Sequence, residues 1–94
     1  MRVETIGIVG AGTMGRGIAQ AFAVNQFAVR LYDVDGLACD AAVIDIERRL
    51  DRDVERARIE PEQRDTALGL LDSVNELAAL SDTDIVIEAV FENL

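Results

Sequence analysis

Gly10, Gly12 and Gly15 stand in the spacing G-x-G-x-x-G within "IGIVGAGTMGRGIAQ", and Asp33 follows 18 residues after Gly15 in "VRLYDVD". Glycine at those three places suits a phosphate-holding turn: Gly10 allows the sharp bend, Gly12 lets the backbone approach a pyrophosphate, and Gly15 lets helix and strand pack closely. The amides at the start of the following helix have no intrahelical acceptor, and with the helix dipole they favour an anion. Gly10, Ala11, Gly12, Thr13, Met14 and Gly15 are therefore the candidate pyrophosphate-binding residues. Asp33 would accept hydrogen bonds from ribose hydroxyls and repel a 2′-phosphate, and Val34 after it offers no cation. The pair selects NAD over NADP. Asp35 is a weaker candidate for the same sugar contact. Arg16 could reach the pyrophosphate but reads better as a solvated side chain, and Arg30 as a surface residue.

The rest of the composition excludes more than it offers. Histidine is absent, which removes the commonest general base and metal ligand, and no cluster has metal-site spacing. No catalytic residue is assigned. Cys39, the single cysteine, excludes an internal disulfide and reads as a small buried hydrophobe in "GLACDAAVI". The 94 residues carry a net charge of −9, with an isoelectric point near 4.2, which argues against nucleic-acid and membrane-surface partners. An anionic ligand must then be held by local donors, since charges farther than the Debye length of about 8 Å are screened. No apolar stretch reaches the roughly 18 residues of a membrane span, and no secretory signal is evident. The expected location is the cytoplasm.

Positioning the loop and the aspartate requires alternating elements, and the chain reads as βαβααβαβ, one domain over residues 1–94. "TIGIVG" suits a strand buried on both faces. A helix is expected from near Gly12, with Gly15, Ala19 and Ala23 as a small-residue stripe, to near Asn25 as a left-handed cap. "FAVRLYD" is the second strand. After Gly36, a long helix to about Ala57 has Val43, Ile46, Leu50 and Val54 as its apolar stripe, and Pro61 opens a second helix, making a helical hairpin. "LLDSV" is a third strand, "NELAAL" a short helix capped by Asn75, and "TDIVIEAV" a fourth strand, apolar on both faces. This predicts a Rossmann-type, doubly wound parallel α/β sheet of order 3-2-1-4, truncated, with the hairpin inserted between the second and third strands. The fourth strand would be an exposed edge prone to self-association.

Across essentially its whole length the sequence resembles the amino-terminal NAD-binding domain of the 3-hydroxyacyl-CoA dehydrogenases, bacterial 3-hydroxybutyryl-CoA dehydrogenases included. "IGIVGAGTMGRGIAQAFA", "LYDVD", "RRLDRDVERARIEPEQRDTAL" and "SDTDIVIEAVFENL" carry the likeness in order. The loop is shared with many dehydrogenases, whereas "VIEAVFENL" and the arginine-bearing hairpin are more specific. The resemblance implies NAD at Gly10 to Gly15 and Asp33, and adds Glu92 beside the cofactor. It implies coenzyme A binding by the hairpin at Arg56, and oxidation of (S)-3-hydroxyacyl-CoA to 3-oxoacyl-CoA in fatty-acid metabolism (β-oxidation). It also implies a homodimer for the full-length enzyme. The catalytic histidine and glutamate of the family would follow Leu94, so the chain is expected to be a fragment, inactive alone. Relatives usually have glycine where Gln26 stands. Arg48, Arg52 and Arg56 share a helix face, read either as a coenzyme A contact or as a solvated face laced with Asp45, Asp51 and Glu55. The alternatives are a cofactor domain of the 3-hydroxyisobutyrate or 6-phosphogluconate dehydrogenase type, a non-catalytic NAD-sensing module, and an inert interaction domain.

Overall fold

The computed structural model describes residues 2–90. In chain order it comprises β1 (Thr5–Val9), α1 (Thr13–Val24), β2 (Ala28–Tyr32), α2 (Gly36–Glu55), α3 (Pro61–Leu70), β3 (Leu71–Val74), a 3₁₀ turn (Leu77–Leu80) and β4 (Ile85–Glu88). The four strands form one parallel sheet of order β3-β2-β1-β4. Ile6 pairs with Val29 on one side and Ile85 on the other. The crossing between β1 and β4 is thus the point where strand order reverses, with the glycine loop at its carboxyl end.

Ile6 and Ile8 of β1, Val29 and Leu31 of β2, and Ile46 and Leu50 of α2 are fully buried. Each such side chain contributes about 1.5–3 kcal/mol on removal from water. On α1 the buried residues are Gly15, Ala19 and Ala23, the expected small stripe, with Ile18 and Phe22 packing alongside. On α2 the buried residues are Cys39, Ala42, Ile46 and Leu50, so the stripe runs one residue ahead of Val43, which is half-buried. Cys39 is a core residue whose thiol faces the Leu31 carbonyl at 3.5 Å. Burial first, and then the negative charge of Asp33, push its pKa up and keep it neutral. Arg64 of α3 reaches Asp51 and Glu47 of α2, fastening the two helices that stand between β2 and β3.

Local caps correct the sequence reading in three places. The left-handed residue after α1 is Gln26, with φ 71°, whereas Asn25 has φ −89° and donates its side-chain amide to Ala21 O at 2.7 Å. The cause is a Schellman closure: Gln26 N–H bonds Ala23 O and Phe27 N–H bonds Phe22 O, both at 3.0 Å. The Phe22 and Phe27 rings meet edge to face at 5.4 Å. The same pattern ends α2 at Glu55, with Ala57 at φ 56°. The 3₁₀ turn is preceded by Glu76 rather than capped by Asn75. At the edge of the described sheet, Ile85 and Val86 of β4 are 42% and 50% exposed, so the fourth strand is less buried than its composition suggests.

Candidate functional site

The carboxyl ends of β1 and β4 diverge around a cleft of about 650 Å³ lined by Gly10, Gly12, Thr13, Met14, Asp33 and Val34, with Val9, Ala89 and Val90 as its floor and far wall. Ala89 N–H donates to Val9 O at 2.7 Å, closing the floor. Ala11 and Gly15 are buried behind this surface. Gly10, Gly12, Thr13, Met14 and Asp33 therefore line one cavity, and the two buried residues, Ala11 and Gly15, do not.

The three glycines serve different needs. A Cβ on Gly15 would lie 1.7 Å from Gly10 O, and one on Gly10 would lie 2.6 Å from Ala89 O at a φ of +114°. Both are excluded by the protein itself. A Cβ on Gly12 would meet nothing within 4 Å, and its φ of −76° suits any residue. Packing does not require a glycine there; a ligand pressed against the backbone would. The amides of Gly12, Thr13 and Met14 have no acceptor among the described residues, so the helix start offers unpaired donors at the cavity wall.

Asp33 faces the same space and also braces the loop. Its Oδ2 accepts from Ala11 N–H at 2.8 Å and its Oδ1 from Asp35 N–H at 2.9 Å. Each oxygen retains a lone pair for a ligand hydroxyl. Asp35, the weaker sugar candidate, is instead the N-cap of α2, accepting from Leu37 N–H at 3.0 Å. Three apolar residues at the cleft lie open to water, Met14 at 52%, Val34 at 90% and Val90 at 57%. An apolar ring system would find its contacts there. Ala89 and Val90 were not singled out from sequence, although their place at the carboxyl end of a strand beside the reversal point is where such a site forms.

The two arginines left open by the sequence both turn out to be pinned. Arg16 is neither solvated nor free for an anion: its guanidinium donates to Ala11 O and pairs with Asp45 at 3.2 Å. Arg30 bonds Ala79 O at 2.9 Å and pairs with Asp82. Arg56 stands away from the cleft, exposed at the carboxyl-terminal cap of α2, and the 20 residues of that helix span about 30 Å. Glu92 lies outside the described residues.

The unpaired donors, the open face of Gly12 and the carboxylate of Asp33 across the same cavity fit a dinucleotide. The family model described as "3-hydroxyacyl-CoA dehydrogenase, NAD binding domain" matches residues 5–94. The chain belongs to this family. It is an NAD-binding domain of the 3-hydroxyacyl-CoA dehydrogenases, which sets aside the 3-hydroxyisobutyrate-type reading. It is 37% identical over 94 residues to the 3-hydroxyadipyl-CoA dehydrogenase of Escherichia coli, covering 100% of this chain and 20% of that protein. With the probable 3-hydroxybutyryl-CoA dehydrogenase of Bacillus subtilis it is 35% identical, over 100% of this chain and 33% of that one. The solved structure of the (S)-3-hydroxybutyryl-CoA dehydrogenase from Ralstonia eutropha superposes with a TM-score of 0.93 at 39% identity, covering 99% of this chain and 33% of that chain. The chain thus spans about a third or less of each of these three relatives.

Proposed function

We propose that residues 1–94 form the NAD-binding domain of a longer enzyme that oxidises (S)-3-hydroxyacyl-CoA to 3-oxoacyl-CoA in fatty-acid metabolism, with the catalytic residues outside this chain. The single observation that carries the cofactor site is the open face of Gly12 beside unpaired amides, with Asp33 across the same cavity. Gly12, Thr13 and Met14 hold the diphosphate through backbone N–H groups, while Gly10, Ala11 and Gly15 shape the turn that presents them. Asp33 accepts from the adenosine ribose and rejects a 2′-phosphate. The family resemblance adds Glu92 as a further cofactor residue. When bound, NAD supplies the hydride acceptor; this chain's residues bind and orient it.

Arg56, with Arg48 and Arg52, serves coenzyme A. In support, all three are exposed and none pairs with a carboxylate among the described residues, although acids are plentiful. Asp45 is taken by Arg16 and Arg49, and Asp51 by Arg64. The three guanidinium groups therefore stand in water without a carboxylate partner among the described residues, which leaves them open to an anionic ligand. The substrate class follows the names of the relatives, and the whole enzyme is a cytoplasmic homodimer. No helix among the described residues is long and apolar enough to cross a membrane.

Calorimetric titration of the chain with NAD, ADP-ribose and NADP tests the cofactor site. ADP-ribose should bind about as well as NAD, and NADP at least about tenfold more weakly, the equivalent of about 1.4 kcal/mol of repulsion at Asp33. Equal binding of NADP, or no binding of NAD, overturns it.

A further inference from the structure

We propose that Arg16 is a positioning residue for the cofactor site, its side chain turning the Gly12 amide into the cleft without touching the ligand itself. The inference rests on the NAD-site reading above and assigns a role to a side chain that the binding geometry alone leaves unused.

The Arg16 side chain holds the carbonyl before Gly12, while the carbonyl after it is held by the helix backbone at the same residue. Its guanidinium donates to Ala11 O from Nε at 3.3 Å and from Nη2 at 3.1 Å, while its backbone N–H donates to Gly12 O at 2.9 Å. All described peptide bonds are trans, and in a planar trans peptide the C=O and N–H point in opposite directions. Fixing Ala11 O on the Arg16 side therefore aims Gly12 N–H the other way, and fixing Gly12 O does the same for Thr13 N–H. Gly12 and Thr13 both line the cleft. On its other side Ala11 is fixed by its own N–H, which donates to Asp33, so the buried residue is held at both ends.

The guanidinium is braced in turn. Nη1 pairs with Asp45 Oδ2 at 3.2 Å, the Arg16 side chain is 22% exposed and Asp45 30% exposed. Asp45 also takes Arg49 at 3.1 Å. Three of the fork's nitrogens are thus committed to the protein, and its charge is met by a carboxylate on α2. A cation so placed has little to offer a diphosphate directly, but it fixes the direction of neutral donors that do.

The test compares Arg16→Met, Arg16→Lys, Asp45→Ala and the control Arg49→Met in the 94-residue chain, with ADP-ribose and adenosine as probes. Arg16→Met should weaken ADP-ribose binding about tenfold, the equivalent of about 1.4 kcal/mol. Adenosine binding and the salt dependence of ADP-ribose binding should not change. Lysine should restore part of the loss, Asp45→Ala should weaken ADP-ribose binding, and Arg49→Met should leave it intact. Without ligand, the amide NMR signal of Gly12 should move in Arg16→Met and stay in place in Arg49→Met. A reduced salt dependence, or tighter binding in Asp45→Ala, would mean direct contact with the diphosphate and overturns the proposal. So does equal loss of adenosine binding, or an unmoved Gly12 signal. If the unaltered chain binds no ADP-ribose, the cofactor reading fails, yet the ligand-free Gly12 signal still decides the role of Arg16.

Discussion

Adding one methyl group in turn to Gly12 and Gly15 separates a glycine required by a ligand from one required by the fold. At Gly15 the new Cβ would sit 1.7 Å from Gly10 O, where contacts under 3.0 Å are essentially never seen. Helix α1 must then move away from the loop, and such overpacking costs about 1–3 kcal/mol or more. In a domain of this size each kcal/mol lowers the melting temperature by about 4–8 °C. Gly15→Ala is thus expected to lose on the order of 10 °C. Gly12→Ala meets no atom within 4 Å; a small gain from restricting the unfolded chain offsets a weaker N-cap, leaving stability within about 0.5 kcal/mol. Its methyl group would nevertheless project into the cleft proposed to take the diphosphate. Losing one charge-assisted bond of about 1.5–3 kcal/mol weakens binding by about tenfold to a hundredfold. Thermal unfolding followed by circular dichroism, with ADP-ribose titration of both variants, gives the answer. A Gly12→Ala chain that binds normally refutes the argument, as does a Gly15→Ala chain of unchanged stability.

Replacing Gln26 by glycine should raise stability by about 0.5–1 kcal/mol, because a side chain at φ 71° is strained. Asn25→Gly should lower it, since Asn25 has an ordinary φ and a bond to Ala21 O; opposite signs in urea unfolding confirm the cap register. Asp84 accepts from the Glu4 and Thr5 amides, and these bonds hold its pKa below the ordinary aspartate value. The sign follows: the stabilisation is complete above the unfolded pKa and is lost as pH falls through the lower folded one. Asp84→Asn should therefore be less stable than the parent at neutral pH and converge with it in acid. Reversing Arg56 to glutamate should weaken coenzyme A binding about tenfold, as expected for loss of a charged contact. It should leave the melting temperature and NAD binding in place, and unchanged coenzyme A affinity returns the stripe to a solvated face.

Features set by steric exclusion or by strand alternation were legible in the sequence. Gly10 and Gly15 admit no side chain, Ile6, Gly7 and Ile8 read as a strand buried on both faces, and the order 3-2-1-4 follows from alternation and handedness. What depended on a one-residue register was not. Asn25 and Gln26 are both polar, and only the Schellman bonds to Ala23 and Phe22 decide which turns left-handed. Asp35 and Asn75 show the same limit, since any short acceptor near a helix start looks like a cap or a ligand group until the backbone direction is known. Arg16 was misread because its partner Asp45 lies 29 residues away in the chain, on another helix. Long-range ion pairs leave no local pattern.

Asp33 shows why sugar selection and loop geometry should not separate under mutation. Its two oxygens each accept a backbone N–H, from Ala11 and from Asp35. An asparagine there would present one oxygen and one donor group, so one of those amides would face another donor. Leaving a buried donor unpaired costs about 1–3 kcal/mol, and Ala11 is fully buried. Asp33→Asn removes the repulsion toward a 2′-phosphate, yet it also releases the peptide that helps set the Gly12 amide. The expected result is weaker NAD binding by tenfold or more, with no matching gain for NADP, read by parallel titration of both cofactors. A clean exchange, NADP bound as tightly as the parent binds NAD, would show that the carboxylate acts on the sugar alone and that the loop holds its shape without it.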